Sequence, residues 1–449
     1  VKGGLSIANR LSFARERVGG PPRVASTEVP ATPKPAETPS REPGVLRRRI
    51  EVPLAGGREA SAQGRALLDI GSVAIPDAGQ LARALAAVGV VPRDGLPAER
   101  PAVLFDLETT GLSRDSGCVA FMVGMAWHEG TGPAARLVVE QWILSRLSSE
   151  AAMLRDVSRT LTGPDLAGAA LVTFNGASFD VPLLRTRLVR HRLARPGQPT
   201  ALDGRPHYDL LVAARRLWKG RGPDCRLSTL ERLHLSVHRQ GDVAGSEIAD
   251  AYWAWLRAPT DPRACDVLER IAAHNRVDLV SLAGLAGQIG DRLTDPRHLA
   301  DVLRAADHHA RQQRAERALA ILEPAIQRWR TEPAVADPVE RGLIREAALL
   351  TGELLRKTGQ HPRAAEVWAL VCQRSPGEPS AHESLAKHLE HKRRDPAAAL
   401  SVASRSASPC PRRIARLQRK VDASGADPVP FEAALARAAP IDSRSRLLV

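Results

Sequence analysis

The sequence predicts an α/β fold, a mixed five-stranded sheet with flanking helices, followed by an all-α domain of helical repeats. Three observations lead there. Segments 103–108, 119–127 and 136–144 are apolar, β-branched or aromatic runs joined by short turns, as antiparallel neighbours are. The next such run, 171–174, follows a helical stretch at 149–161 and so returns to the sheet by a crossover. After Pro296 the period changes, and Leu303, Ala306, Ala310, Ala318, Ile321, Leu322, Ala325 and Ile326 recur at helical spacing.

Residues 1–44 form a basic, Pro-rich tail expected to be disordered, since Gly19 to Pro43 holds little to bury. Within it, residues 5–17 have the pattern of a short basic amphipathic helix, with a frayed terminus as the plainer reading. Residues 45–100 are an N-terminal extension whose apolar pieces, Ala66-Leu67-Leu68 and Leu81-Ala82-Arg83-Ala84-Leu85, are expected to pack on the domain at 101–290. That domain takes its fifth strand near 206–210 and helices near 227–235, 246–257 and 263–285. Residues 297–425 form the helical domain and 426–449 a C-terminal tail.

The first strand carries the chemistry. Val103-Leu104-Phe105-Asp106-Leu107-Glu108-Thr109-Thr110-Gly111-Leu112 sets two acids two positions apart, and alternate side chains of a strand share a face. Two carboxylates side by side repel unless a cation lies between them, and hard oxygen ligands suit Mg2+ or Mn2+. A D-x-E triplet by itself is an ordinary surface feature, but an apolar strand enters this one and a Thr-Thr-Gly turn leaves it.

Two further acidic motifs follow. In Leu171-Val172-Thr173-Phe174-Asn175-Gly176-Ala177-Ser178-Phe179-Asp180 a short strand and a Gly-containing turn place Asp180 at a helix start, where helix capping is the alternative role. In Ile271-Ala272-Ala273-His274-Asn275-Arg276-Val277-Asp278 the His and Asp lie at i and i+4 on one helix face. Asp209, in His207-Tyr208-Asp209-Leu210-Leu211, rivals Asp180 but lacks the Asn-x-x-x-Phe-Asp setting, so it reads as a helix N-cap or a supporting residue.

Taken in order, Asp106, Glu108, Asp180 and Asp278 resemble the four acids of the DEDD superfamily of 3'-to-5' exonucleases, which have a ribonuclease-H-like fold. FDLETTGL, TFNGASFD, Tyr208-Asp209-Leu210-Leu211, Arg226-Leu227-Ser228-Thr229-Leu230-Glu231 and HNRVDLVSL make the chain most similar to YprB-type ribonuclease-H-like domains, over roughly residues 100 to 285. One departure stands out: the superfamily places Tyr with three residues, or His with four, before the last Asp, whereas three residues separate His274 from Asp278.

The resemblance implies two-metal hydrolysis of a phosphodiester of DNA or RNA, with ions about 3.5 to 4 Å apart. Asp106 would bridge both Mg2+ or Mn2+ ions, Glu108 and Asp278 would complete one, and Asp180 would hold the other. His274 would orient the attacking water or take its proton. Thr109, Leu112, Asn175 and Phe179 fall where the family meets the terminal nucleotide.

Composition fits a nucleic-acid partner, with a formal net charge of +14. Arg185, Arg187, Arg190 and Arg192 form one basic cluster and Arg215, Arg216, Lys219 and Arg221 another. Abundant Ala, Arg, Gly and Pro also fit a GC-rich coding sequence, in which arginine is frequent everywhere. Five scattered cysteines, with no C-x-x-C pair, indicate neither a zinc site nor a disulfide framework and fit a reducing cytoplasm. No apolar stretch spans a bilayer, so no membrane partner is expected. Five tryptophans (127, 142, 218, 253 and 255) read as core residues rather than stacking platforms.

In the C-terminal region Leu355, Gly359, Ala364, Ala365, Trp368 and Pro376 resemble a tetratricopeptide repeat. Ala399, Ala403 and Pro409 echo it one period later, with Lys392-Arg393-Arg394 in place of the glycine turn. Such a stack binds protein partners, and its arginines also suit nucleic acid. The competing functional reading is a catalytically weak ribonuclease-H-like scaffold that binds nucleic acid through these repeats.

Overall fold

The structure, a computed structural model, describes residues 37–38, 43–54, 73–89, 101–111, 117–239, 241–332 and 337–438. The expected helix at 5–17, the Ala66-Leu67-Leu68 piece, Leu112 and the last residues lie outside these. The chain divides into two compact units, Val1–Asp291 and Arg292–Val449.

The first unit is built on one mixed sheet. Its strands are β1 (Glu37–Thr38), β2 (Val45–Pro53), β3 (Ala102–Thr109), β4 (Ala120–Glu129), β5 (Arg136–Leu144), β6 (Ala170–Thr173) and β7 (His207–Asp209). They lie in the order β1-β2-β5-β4-β3-β6-β7. β3, β4 and β5 pair antiparallel, whereas β6 and β7 add in parallel through helical crossovers. The five expected strands are present, and among the described residues the sheet has seven.

Of the added strands, β2 comes from the segment read as an extension, whereas β1 lies within the 1–44 tail expected to be disordered, where Glu37 and Thr38 pair antiparallel with Arg48 and Arg47 of β2. Arg47, Arg48 and Arg49 on β2 break the apolar alternation that marks a strand, and acids distant in sequence satisfy them: Arg47 and Arg49 reach Glu140 at 2.7 and 3.0 Å, and Arg48 grips Glu269 at 2.5 Å. β2 thereby covers the β5 edge, which would otherwise offer a row of unpaired backbone groups.

Helices α1 (Ala78–Val88), α2 (Glu150–Thr162), α3 (Asp180–Arg190), α4 (Leu210–Trp218), α5 (Leu227–Leu230), α6 (Ile248–Arg257) and α7 (Pro262–Thr294) complete this unit. α5 runs into a π turn at Glu231–Leu235. Asp77 and Gln80 close a capping box at the start of α1. The helix then lies so close to α7 that a Cβ at Gly290 would fall 2.4 Å from the Ala84 Cβ, so the Leu81–Leu85 piece packs against α7. Phe121 stacks on Tyr252 with ring centroids 3.8 Å apart, and buried Trp142 donates to Asp156 at 2.8 Å. Four of the five named tryptophans are buried, and Trp253 is partly so.

The second unit is helical throughout its described residues. It comprises α8 (Leu299–Arg311), α9 (Ala315–Thr331), α10 (Pro338–Lys357), α11 (His361–Arg374), α12 (Pro379–His391), α13 (Pro396–Ser404), α14 (Pro411–Ser424) and α15 (Phe431–Ala436). Each helix from α8 to α14 packs against the next, and α15 packs against α13. The turn after α10 uses Gly359 at φ +79°, and the turn after α12 puts Arg394 at φ +54° in the corresponding place. An arginine there carries backbone strain that a glycine avoids. None of the described helices is long and apolar enough to cross a membrane.

Candidate active site

β3 lies between β4 and β6, so its carboxylates issue from the middle of the sheet. Glu108 is buried and Asp106 partly so, and the pairing with β4 shifts register between Glu108 and Thr109, where the strand ends. Asp180 begins α3 beyond the end of β6. A tight turn delivers it there: Asn175 takes φ +69°, and a Cβ on Gly176 would strike the Thr173 side chain at 2.5 Å. Asp209 caps α4 through the Leu211 amide and accepts from the Asn175 and Ala177 amides at 2.8 and 3.1 Å, so it secures the turn that carries Asp180.

α7 passes over this end of the sheet. Glu108, His274 and Asp278 each place a ligand atom within 4.8 Å of the others. Asp106 and Asp180 belong to the same electrostatic group. Burial first, then the charges of Asp278, Glu108 and Asp180, hold Asp106 well above the usual carboxylate range. Burial and the neighbouring acids lift Glu108 to about 8 against the pull of His274, and burial with Asp209 and Asp278 lifts Asp180 to about 7. Buried carboxylates that repel one another in this way are short of positive charge, and an oxygen-rich set with one imidazole suits a divalent hard cation.

Thr109 donates to the Gly111 carbonyl at 2.6 Å, which shapes the turn leaving β3. Asn175 is exposed and accepts from Ser178 at 2.8 Å, while Phe179 packs partly buried against the core. One basic cluster is only partly the surface that sequence implies: Arg190 and Arg192 are exposed, but Arg187 is buried in an ion pair with Glu150, and Arg185 pairs with Asp203 at 2.5 Å. A buried pair of this kind serves the fold and leaves nothing for a phosphate to meet.

Several site residues were not visible in the sequence. Asp106, Gly124 and Gln141 form one row across β3, β4 and β5. The side chain of Asn275 fills the space over Gly124, donates to Asp106 at 2.8 Å and accepts from Gln141 at 2.8 Å. A Cβ at Gly124 would meet Asn275 Oδ1 at 2.1 Å. We therefore expect Gly124→Ala to release Asp106 from its partner and lower turnover about 10- to 100-fold, as loss of a supporting contact does at metal sites. Circular dichroism should show the fold retained, and unchanged turnover would mean that the Asn275–Asp106 contact has no part in the site.

On the other side Arg239 grips Glu231 at 2.6 Å, contacts Asp278 and lies 3.3 Å from Asp242. His274 Nδ1 lies 2.7 Å from Asp242, which requires the proton on Nδ1 and turns Nε2 toward Asp278 at 3.6 Å. Burial would push His274 down, but the Asp242 hydrogen bond and the charges of Asp278 and Glu108 outweigh it and lift the imidazole to about 9.

These shifts fix a pH dependence. Glu108 rises from 4.5 to about 8, Asp180 from 3.8 to about 7 and His274 from 6.5 to about 9 on folding. Groups raised in the folded state contribute stability that is full below their unfolded values and is lost as pH climbs through the folded ones. In metal-free buffer Tm should therefore fall as pH rises from 5 to about 9, and Mg2+ should reverse most of the fall, since it binds the deprotonated ligands. A Tm that is flat with pH, scanned by calorimetry with chelator present, would contradict this.

Residues 103–289 match the family RNase_H_2, described as RNase_H superfamily. Over 338 residues the chain is 29% identical to the uncharacterized protein YprB of Bacillus subtilis (strain 168), covering 70% of this chain and 74% of that one. A fold of this superfamily points to nuclease activity, to nucleic acid as the bound polymer and to divalent metal ions as the usual cofactor.

Proposed function

We propose that this chain, whose residues 103–289 form a ribonuclease-H-like domain of the YprB type, is a metal-dependent 3'-to-5' exonuclease of the DEDD kind acting on DNA or RNA. The reading rests on one observation: Glu108, His274 and Asp278, from β3 and α7, place ligand atoms within 4.8 Å of one another, and the charges of these acids reach Asp106 and Asp180, from β3 and α3.

Asp106, Glu108, Asp180 and Asp278 would hold two Mg2+ or Mn2+ ions. Bound there, such ions polarise the phosphoryl oxygens and make water a nucleophile at neutral pH. The protein's own groups do the rest. His274, held through Nδ1 by Asp242, presents Nε2 to the attacking water, positions it and takes its proton. Neutralising Asp278 and Glu108 would remove two of the charges that raise the imidazole and so ease loss of its proton, while the Asp242 hydrogen bond would still hold the ring in place. Asn275 keeps Asp106 in one orientation. Thr109, Asn175 and Phe179 would line the approach of the terminal nucleotide.

The test is digestion of 5'-labelled single-stranded DNA and RNA with Mg2+ or Mn2+. A metal-dependent ladder that shortens from the 3' end is expected. Internal cleavage with no ladder would instead make the enzyme an endonuclease, and no cleavage of either polymer would sink the catalytic reading.

A further inference from the structure

Charge is not spread evenly over the chain. Residues 387–420 hold ten lysines and arginines and only two acids, Glu390 and Asp395, a net of +8 out of +14 for the whole chain. Arginine-rich composition does not produce that concentration in one segment. The fold also gathers much of it onto one surface. Arg412, Arg416, Arg419 and Lys420 lie on one face of α14, opposite buried Leu417 and Val421. Glu390, near the end of α12, takes Arg416 at 2.6 Å and Lys420 at 2.7 Å, and so sets that face beside the exposed turn Lys392-Arg393-Arg394.

Glu383, the other acid of α12, is taken by Arg413 at 3.1 Å and Lys387 at 2.8 Å, so both acids of that helix are already paired. Among the described residues no acid pairs with Lys392, Arg393, Arg394, Arg412 or Arg419. The local field agrees: burial, together with Arg393, His361 and Lys392 facing it, pushes His388 down to about 4.

We infer that the α12–α14 face of the helical unit, with its cations at 392–394, 412, 416 and 419, is a docking surface for the phosphate backbone of a nucleic-acid strand. It rests on the nuclease reading for its choice of polyanion. Its cations neutralise phosphates and release counterions, so binding is independent of sequence and sensitive to salt. For a nuclease this holds long substrates and leaves the chemical step untouched.

The experiment uses the full chain carrying Lys392→Gln, Arg393→Gln, Arg412→Gln and Arg419→Gln, all exposed positions. Binding of labelled single-stranded DNA and RNA is read by fluorescence anisotropy over a salt series with chelator present. Kd should rise at least tenfold, and the slope of log Kd against log salt should shrink by about 3, as loss of four phosphate contacts requires. The pair Arg412→Gln, Arg419→Gln should give about half that slope change and guards against misfolding of the fourfold variant.

Hydrolysis of bis(p-nitrophenyl) phosphate with Mn2+ reads the acidic site separately and should not change. Unchanged affinity and slope in both variants would overturn the surface even with hydrolysis intact. Absence of hydrolysis in every protein, with the salt-dependent binding loss still seen, would count against the nuclease reading alone. Loss of binding to polyglutamate, with none to nucleic acid, would overturn the proposal in favour of an acidic protein partner.

Discussion

The Asp106→Asn, Glu108→Gln double variant is expected to lose at least about 1,000-fold in phosphodiester hydrolysis, because several kcal/mol of charge stabilisation leave with the two ligands and each 1.36 kcal/mol is tenfold in rate. The same variant should be more stable than the parent in metal-free buffer at alkaline pH. Glu108 is lifted to about 8 by burial and the acids around it, so ionising it costs folding free energy that a neutral amide does not. Activity falling while Tm rises is a combination that general unfolding cannot produce. Kinetics at saturating Mg2+ with calorimetry at pH 9 would show it, and hydrolysis surviving within tenfold of the parent would remove these carboxylates from the chemistry.

How much of this could be read from the sequence depends on how far apart the interacting residues lie. Asp106 and Glu108 announce themselves because period two is local, and His274 and Asp278 because one helical turn is local. β3, β5 and α2 fall within a residue of their expected bounds for the same reason. β2 was hidden because its three arginines read as polar until Glu140 and Glu269, 91 to 221 residues away, are brought beside them.

The supporting residues of the site were hidden in the same way. Gln141 and Asn275 are 134 positions apart, and nothing near Gly124 shows that a side chain from α7 will lie over it. Arg239 and Asp242 sit in a connection between helices with no periodicity to mark them. The Arg226-Leu227-Ser228-Thr229-Leu230-Glu231 motif carries a resemblance, but its physical use, a π turn that buries Glu231 against Arg239, shows only in the fold.

That contact supports the second large effect. Arg239→Met should destabilise the metal-free protein by about 3 to 5 kcal/mol, the usual cost of leaving a buried charge without its partner. The charge left behind is Glu231, only 1% exposed and bonded to Arg239 through both carboxylate oxygens. Mg2+ should restore only part of the loss, because Glu231 is not among the residues whose ligand atoms meet at Glu108, His274 and Asp278. Adding Glu231→Leu should recover most of the stability, since a buried ion pair replaced by apolar side chains is close to neutral. Turnover should not recover with it. Asp278 and the His274–Asp242 pair all contact Arg239, so the repaired core would still leave them unfixed. Denaturant unfolding and hydrolysis measured on the single and double variants separate the two roles. If turnover returns together with stability, Arg239 serves the fold alone and has no part in holding the site.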